Sequence, residues 1–265
     1  MQLLILHTSP LCTKFPDRFH SELDANMNIT IPDYLQELVY YSGRLSVQEF
    51  LQLLVQRFPG QVTFSTSFSV EDQVITHEIL NNKVPVDIFT LDTGRLFAET
   101  YSTWNSTNDR YQTQIKAYFP DYRNLEKFIT TKGPNAFYES VENRKSCCHI
   151  RKVEPLKRAL QGHAIWITGL RAEHSPERTG HNLIEWDAAN NIVKYNPLLH
   201  WTSADVQQYV SEHNVPYNVL HDKGFVSIGC APCTRAIRPG EDFRAGRWWW
   251  EDSSKKECGL HANNA

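Results

Sequence analysis

The chain has 265 residues, enough for one large α/β domain with appendages, and at this size a core needs no disulfide staples. Hydrophobic residues make up 41% and charged residues 22%, with a net charge of −3, so nothing in the balance points to a nucleic-acid or membrane partner. No run approaches the ~20 apolar residues of a membrane span, and MQLLILH at the start is too short for a signal-peptide core, so the expected location is the cytosol.

Residues 1–45 lack a clear period and read as a partly helical N-terminal extension that packs on the domain or on a second subunit. From there the pattern alternates. Residues 46–58 (SVQEFLQLLVQRF) carry apolar positions at helical spacing behind a capping serine. Residues 61–65 (QVTFS) read as a buried strand, 72–82 as a helix, 84–91 as a strand, 97–111 as a helix and 115–119 as a short strand. A helix over 153–160 and a strand over 164–168 follow, then a hairpin over 183–187 and 192–195, and a capped helix over 203–213. Strand–helix alternation of this kind predicts a doubly wound, mostly parallel α/β sheet. After Val226 the chain turns irregular, and its last fifteen residues are polar.

Cysteine placement is the most informative feature. Five of the six cysteines fall into three groups, Cys147-Cys148, Cys230-x-x-Cys233 and Cys258, while Cys12 stands alone. In a reducing compartment such residues are read as ligands or nucleophiles rather than disulfides. Two pairs make a four-thiolate site, for which zinc and an iron–sulfur cluster are the candidates. Adjacent side chains diverge, so Cys147 and Cys148 reach one small ion only with strain, whereas a [4Fe–4S] cluster takes them on separate corners. Cys258 lies in a polar tail with no core to fill, and Lys255, Lys256 and His261 can lower its pKa.

The loops that end the strands carry the anion-binding groups. Ser65, Ser67 and Ser69 surround the junction between the first strand and its helix, where backbone N–H groups and the helix's positive end suit an oxyanion. Residues 91–95 (LDTGR) and 169–171 (GLR) end two further strands at the same sheet edge. Lys152, Arg171, Arg244 and Arg247 are the cations expected to neutralise a bound phosphate or sulfate, and arginine does so bidentately. Residues 248–250 (WWW) are expected to pack the C-terminal segment over the site.

Taken together, STSFSVEDQV, LDTGRL, KSCCHIRKVEPL, GLRAEHSPER, VPYNVLHDKGFVSIGCAPCTR, GRWWWE and KKECGLH, in this order, resemble the assimilatory sulfonucleotide reductases, in their iron–sulfur adenylyl-sulfate (APS) branch. The resemblance implies an adenine-nucleotide α-hydrolase-like fold related to the PP-loop pyrophosphatases, with Phe68 and Ser69 in place of the two glycines of the pyrophosphate loop. It divides the chain into an extension (1–45), a nucleotide-binding α/β domain with the first cysteine pair (46–226) and a C-terminal part with the second pair and the catalytic tail (227–265). It implies one [4Fe–4S] cluster on Cys147, Cys148, Cys230 and Cys233, with Lys152 between cluster and substrate. Cys258 is then the nucleophile that takes the sulfonate from APS, thioredoxin the electron donor, and a homo-oligomer is allowed. Reductases of the 3′-phosphorylated nucleotide (PAPS) typically lack the four cluster cysteines, so PAPS or dual use is the second reading. A PP-loop thiolation enzyme would need a glycine-rich loop that residues 67–72 do not supply, and a zinc-bearing RNA or DNA module would be basic.

Overall fold

The computed structural model describes residues 31–174 and 180–251. Cys12, Arg178, Lys255, Lys256, Cys258 and His261 lie outside them. No described helix is long and apolar enough to cross a membrane.

Helix α1 (Ile31–Ser42) precedes α2 (Val47–Arg57), which opens on a capping box: the Ser46 hydroxyl accepts from Glu49 N, and Ser46 N donates to the Glu49 carboxylate at 2.9 Å. Phe50, Leu51 and Leu54 bury the inner face of α2. Leu38 of α1 joins the same core, and Arg57 pairs with Glu37 at 2.6 Å. Residues 31–42 are therefore built into the α/β unit.

Strand β1 (Val62–Thr66) is almost wholly buried, as a central strand covered on both faces must be. It is followed by α3 (Val70–Asn81), β2 (Asp87–Leu91), α4 (Ala98–Tyr111) and β3 (Lys116–Tyr118). Then come α5 (Tyr122–Lys132), α6 (Val141–Cys148), α7 (Glu154–Leu160), β4 (Ile165–Ile167), the hairpin β5 (Ile184–Asp187) and β6 (Ile192–Tyr195), and α8 (Ser203–Glu212). The sheet order is β3-β2-β1-β4-β6-β5, parallel throughout except for β5 against β6. The chain winds outward from β1 to β3 and then returns to the other side of β1 with β4. The order reverses between β1 and β4, so the loops leaving these two strands part and leave a crevice.

Two helices were not expected. Helix α5 has no fully buried residue, but Leu125, Phe128 and Ile129 stand at helical spacing and Asp121 caps it by accepting from Asn124 N, so its signal was present in the sequence. Helix α6 is capped by Ser140 and is rich in polar residues and cysteines. It runs on into α7 through a π-turn, His149–Val153, in which Glu154 N donates to His149 O. Pro155, at the start of α7, has no N–H to give to Arg151 O, and its ring crowds that carbonyl. The wider turn relieves the clash and fixes the direction in which Cys147, Cys148, Arg151 and Lys152 leave the helix.

Candidate active site

A cavity of about 210 Å³ opens at the C-terminal ends of β1, β2 and β4. Ser65, Ser67 and Ser69 line it from the first loop, Thr93 from the second, and Gly169 from the loop after β4. Lys152, Arg244, Arg247 and Trp248 close it from the helical and C-terminal side. Of the residues expected to bind an anion, all but Arg171 face this space.

Arg171 is only 2% exposed and has a different setting. Its guanidinium meets Glu71 at 3.1 Å, Glu173, the Trp201 carbonyl at 3.1 Å and the Ser203 hydroxyl at 3.1 Å. The fork is engaged by protein groups that join the start of α3, the loop after β4 and the start of α8, so its charge holds these segments together rather than facing a ligand.

The first loop is also arranged differently from the expectation. Ser67 N and the Ser67 hydroxyl both donate to Asp72 Oδ2, each at 2.6 Å, so these two donors hold a carboxylate of the protein itself. Burial raises the Asp72 pKa to about 6, although the Ser67 hydrogen bonds oppose the shift. Val70 N donates to His221 Nε2 at 3.2 Å, which satisfies one of the first N–H groups of α3. Phe68 sits at φ +58°, the left-handed region that glycine adopts freely. Its ring is fully buried and stacks on Trp104 at 5.4 Å, which offsets the backbone cost of a bulky residue there. Gly169 is required by the same loop, because a Cβ would overlap Asp72 Oδ1 and stand 3.2 Å from Cγ.

The four remaining cysteines come together beside this cavity. Cys147 and Cys148 end α6, and Cys230 and Cys233 flank a single 3₁₀ turn. All four line one small cavity with Arg95, Arg144, Arg151 and Lys152. Lys152 and Cys230 line both cavities. The 230–233 turn is pinned by Ala231 N to Arg95 O at 2.8 Å, Cys230 Sγ to Thr93 Oγ1 at 3.3 Å and Trp248 N to Cys233 O at 3.1 Å. Among the described residues no three His, Cys, Asp or Glu side chains form a group that could hold a single metal ion.

Burial pushes the Cys147 thiol up, and burial together with Cys230 pushes Cys233 up to about 12. Burial acts the same way on Cys230, but Lys152, the Thr93 hydrogen bond, Arg247 and Arg151 outweigh it and lower its pKa. Thr93, Arg95 and Glu251 had no assigned role in the sequence. LDTGR carried a visible signal for the first two; Glu251 carried none, because its partner Arg144 is 107 positions away.

Residues 61–236 match the family described as the phosphoadenosine phosphosulfate reductase domain. The chain belongs to this family. Among relatives of this reductase family, the adenosine 5'-phosphosulfate reductase of Burkholderia cepacia is 53% identical over 201 residues, covering 76% of this chain and 80% of that one. That of Agrobacterium fabrum is 46% identical over 224 residues, 84% of each chain. A solved phosphoadenylyl-sulfate reductase from Candida auris, in a phosphate complex, superposes with a TM-score of 0.67 at 30% identity, covering 80% of this chain and 99% of that one. Candida glabrata FMN adenylyltransferase shares only the fold, with a TM-score of 0.50 at 16% identity over 89% of this chain and 81% of that one. The doubly wound sheet is thus the adenine-nucleotide α-hydrolase-like architecture expected from the sequence, and the chain is a reductase of the sulfonucleotide class.

Proposed function

We propose that the protein reduces adenylyl sulfate to sulfite and AMP, in assimilatory sulfate reduction, through a thiosulfonate on Cys258. The observation that carries this reading is the shared wall between the two cavities. One cavity presents Lys152, Arg244 and Arg247 at the strand ends; the other gathers four thiols; and Lys152 and Cys230 belong to both. The relatives named adenosine 5'-phosphosulfate reductases support the substrate.

The four-thiol cavity suits a [4Fe–4S] cluster. A cubane offers one iron to each of four thiolates, and four cysteines line this cavity together with Arg95, Arg144, Arg151 and Lys152, whose positive charge would balance the cluster's. Cys147, Cys148, Cys230 and Cys233 would hold it. When bound, the cluster supplies a tie between the end of α6 and the 230–233 turn, and a local field beside the cavity.

The chemistry belongs to the chain's own groups. Lys152, Arg244 and Arg247 bind and neutralise the phosphosulfate, so that an anionic nucleophile can approach an anionic substrate. The Cys258 thiolate attacks sulfur, the S–O bond to the phosphate breaks, AMP leaves, and Cys258 carries SO₃⁻. One thiol of a dithiol donor, thioredoxin, attacks the Cys258 sulfur and sulfite departs with the electron pair; the donor's second thiol then breaks the mixed disulfide, which frees Cys258 as a thiolate and leaves the donor as its disulfide. Arg171 acts by holding the loop after β4.

The test is the intact mass of anaerobically purified protein exposed to APS, or to PAPS, with no thiol reductant. A sulfonate adduct on Cys258 with APS alone is expected. An adduct with both nucleotides keeps the mechanism and widens the substrate to dual use. No adduct with either, on protein that retains its iron, overturns the reading.

A further inference from the structure

Trp248 is 1% exposed and stands at φ +40°, a left-handed backbone that a bulky side chain adopts only when its surroundings demand it. Its surroundings are cationic. The Cζ atoms of Arg144, Arg247 and Arg244 lie 4.6, 4.9 and 5.8 Å from its ring centroid. All three arginines are buried. Each guanidinium is within cation–π range of the same indole, the aromatic ring with the strongest attraction for a cation.

The three arginines come from the two sides of the site. Arg144 is on the helix that carries Cys147 and Cys148. Arg244 and Arg247 line the nucleotide cavity. The backbone continues the same link: Trp248 N donates to Cys233 O at 3.1 Å, and Glu251 N donates to Trp248 O at 2.8 Å. Glu251 in turn forms a buried pair with Arg144, Nη2 to Oε2 at 2.8 Å. Like charges so close together repel one another and drift toward solvent unless something holds them. Here Glu251 pairs with Arg144, and the negative face of one ring is within reach of all three.

We propose that Trp248 is a positioning residue for the anionic part of the substrate: its π face holds Arg244 and Arg247 toward the cavity and fixes their loop to the cysteine turn. This rests on the reading that these two arginines bind the phosphosulfate. Trp248 itself need not touch the substrate.

The experiment replaces Trp248 with tryptophan carrying one to four ring fluorines, in the iron-loaded full chain, and measures the affinity for AMP and for adenosine. Fluorine drains the π face with little change of shape, so a packing role is nearly indifferent to it. A stepwise loss of AMP affinity, reaching roughly fivefold to tenfold in the tetrafluoro form with adenosine unchanged, is the expected result. Trp248→Phe and Trp248→Leu extend the series, with Phe the milder. A flat fluorine series, or equal losses for AMP and adenosine, overturns the proposal. Arg247→Met separates the two claims. If it leaves AMP affinity intact, the phosphate-binding reading has failed; if it weakens AMP while fluorination does not, only the role of Trp248 has failed.

Discussion

Gly229 lies directly beneath the guanidinium of Arg247: a Cβ at position 229 would stand 2.7 Å from Arg247 Cζ and 2.9 Å from Nη1. The backbone of Gly229 does not need glycine for its own conformation, since its φ is not in the left-handed range. The requirement is room for a cation that faces the cavity. Gly229→Ala is expected to displace Arg247 and to raise KM for APS about tenfold, with iron content unchanged. Steady-state kinetics beside an iron assay check it.

Arg171 and Arg244 are both buried arginines near the cavity, but they answer to different partners. Arg171→Met takes the guanidinium away from the buried Glu71, and removing one partner of a buried ion pair costs about 3 kcal/mol or more. Its main effect is expected in thermal unfolding. Arg244→Met is expected to leave Tm within a few degrees and to raise KM for APS by about tenfold or more, because it removes the charge-assisted substrate contact proposed for it. The contrast between the two variants, read as Tm against KM, is the measurement.

Asp72 gives a pH signature. Its pKa is raised in the fold to about 6, from 3.8 for an ordinary aspartate, mainly by burial. A carboxyl of this kind favours the fold in its protonated form: that contribution is complete below about pH 4 and is lost as pH rises through about 6. Asp72→Asn keeps an acceptor for Ser67 and cannot ionise. The stability difference between Asn variant and parent should therefore grow in favour of Asn between pH 4 and 6, by roughly 3 kcal/mol, and level off above that. Denaturant melts across this window test it, and a difference that stays constant with pH removes the buried-carboxylate account.

Arg144 and Glu251 form a two-bond ion pair with side chains only 1% and 5% exposed. Glu251→Gln removes the charged partner of this buried arginine beside Trp248. It is expected to cost about 3 kcal/mol and to speed iron loss on exposure to a chelator.

The cysteine roles separate cleanly. Cys258→Ser is expected to abolish sulfite release and to keep the brown iron–sulfur absorbance. Cys230→Ser is expected to lose the absorbance and the activity together. Retained turnover in the first variant would remove the proposed nucleophile, and retained iron in the second would reassign the ligands.

By itself the sequence was enough for the type of fold and for the expectation of a four-cysteine cluster beside an anion-binding loop. Alternating apolar strands and capped helices from Ser46 onward require a doubly wound sheet, because each buried strand must be covered on both faces. Cys147-Cys148 and Cys230-x-x-Cys233 name a four-thiol site by spacing alone. These signals are legible because they are local: a cap, a period or a cysteine pair spans a few residues. Partnerships between distant residues came from packing in three dimensions. It assigned Arg171 to Glu71 and Glu173 rather than to the cavity, placed Gly229 under Arg247, joined Arg144 to Glu251 and set three guanidiniums around Trp248. An arginine reads the same in sequence whether it will face a ligand or a carboxylate. Which of the two it meets depends on where the reversal between β1 and β4 opens the sheet, and on how a π-turn before Pro155 aims the end of a helix. Those are properties of packing, and no window of sequence contains them.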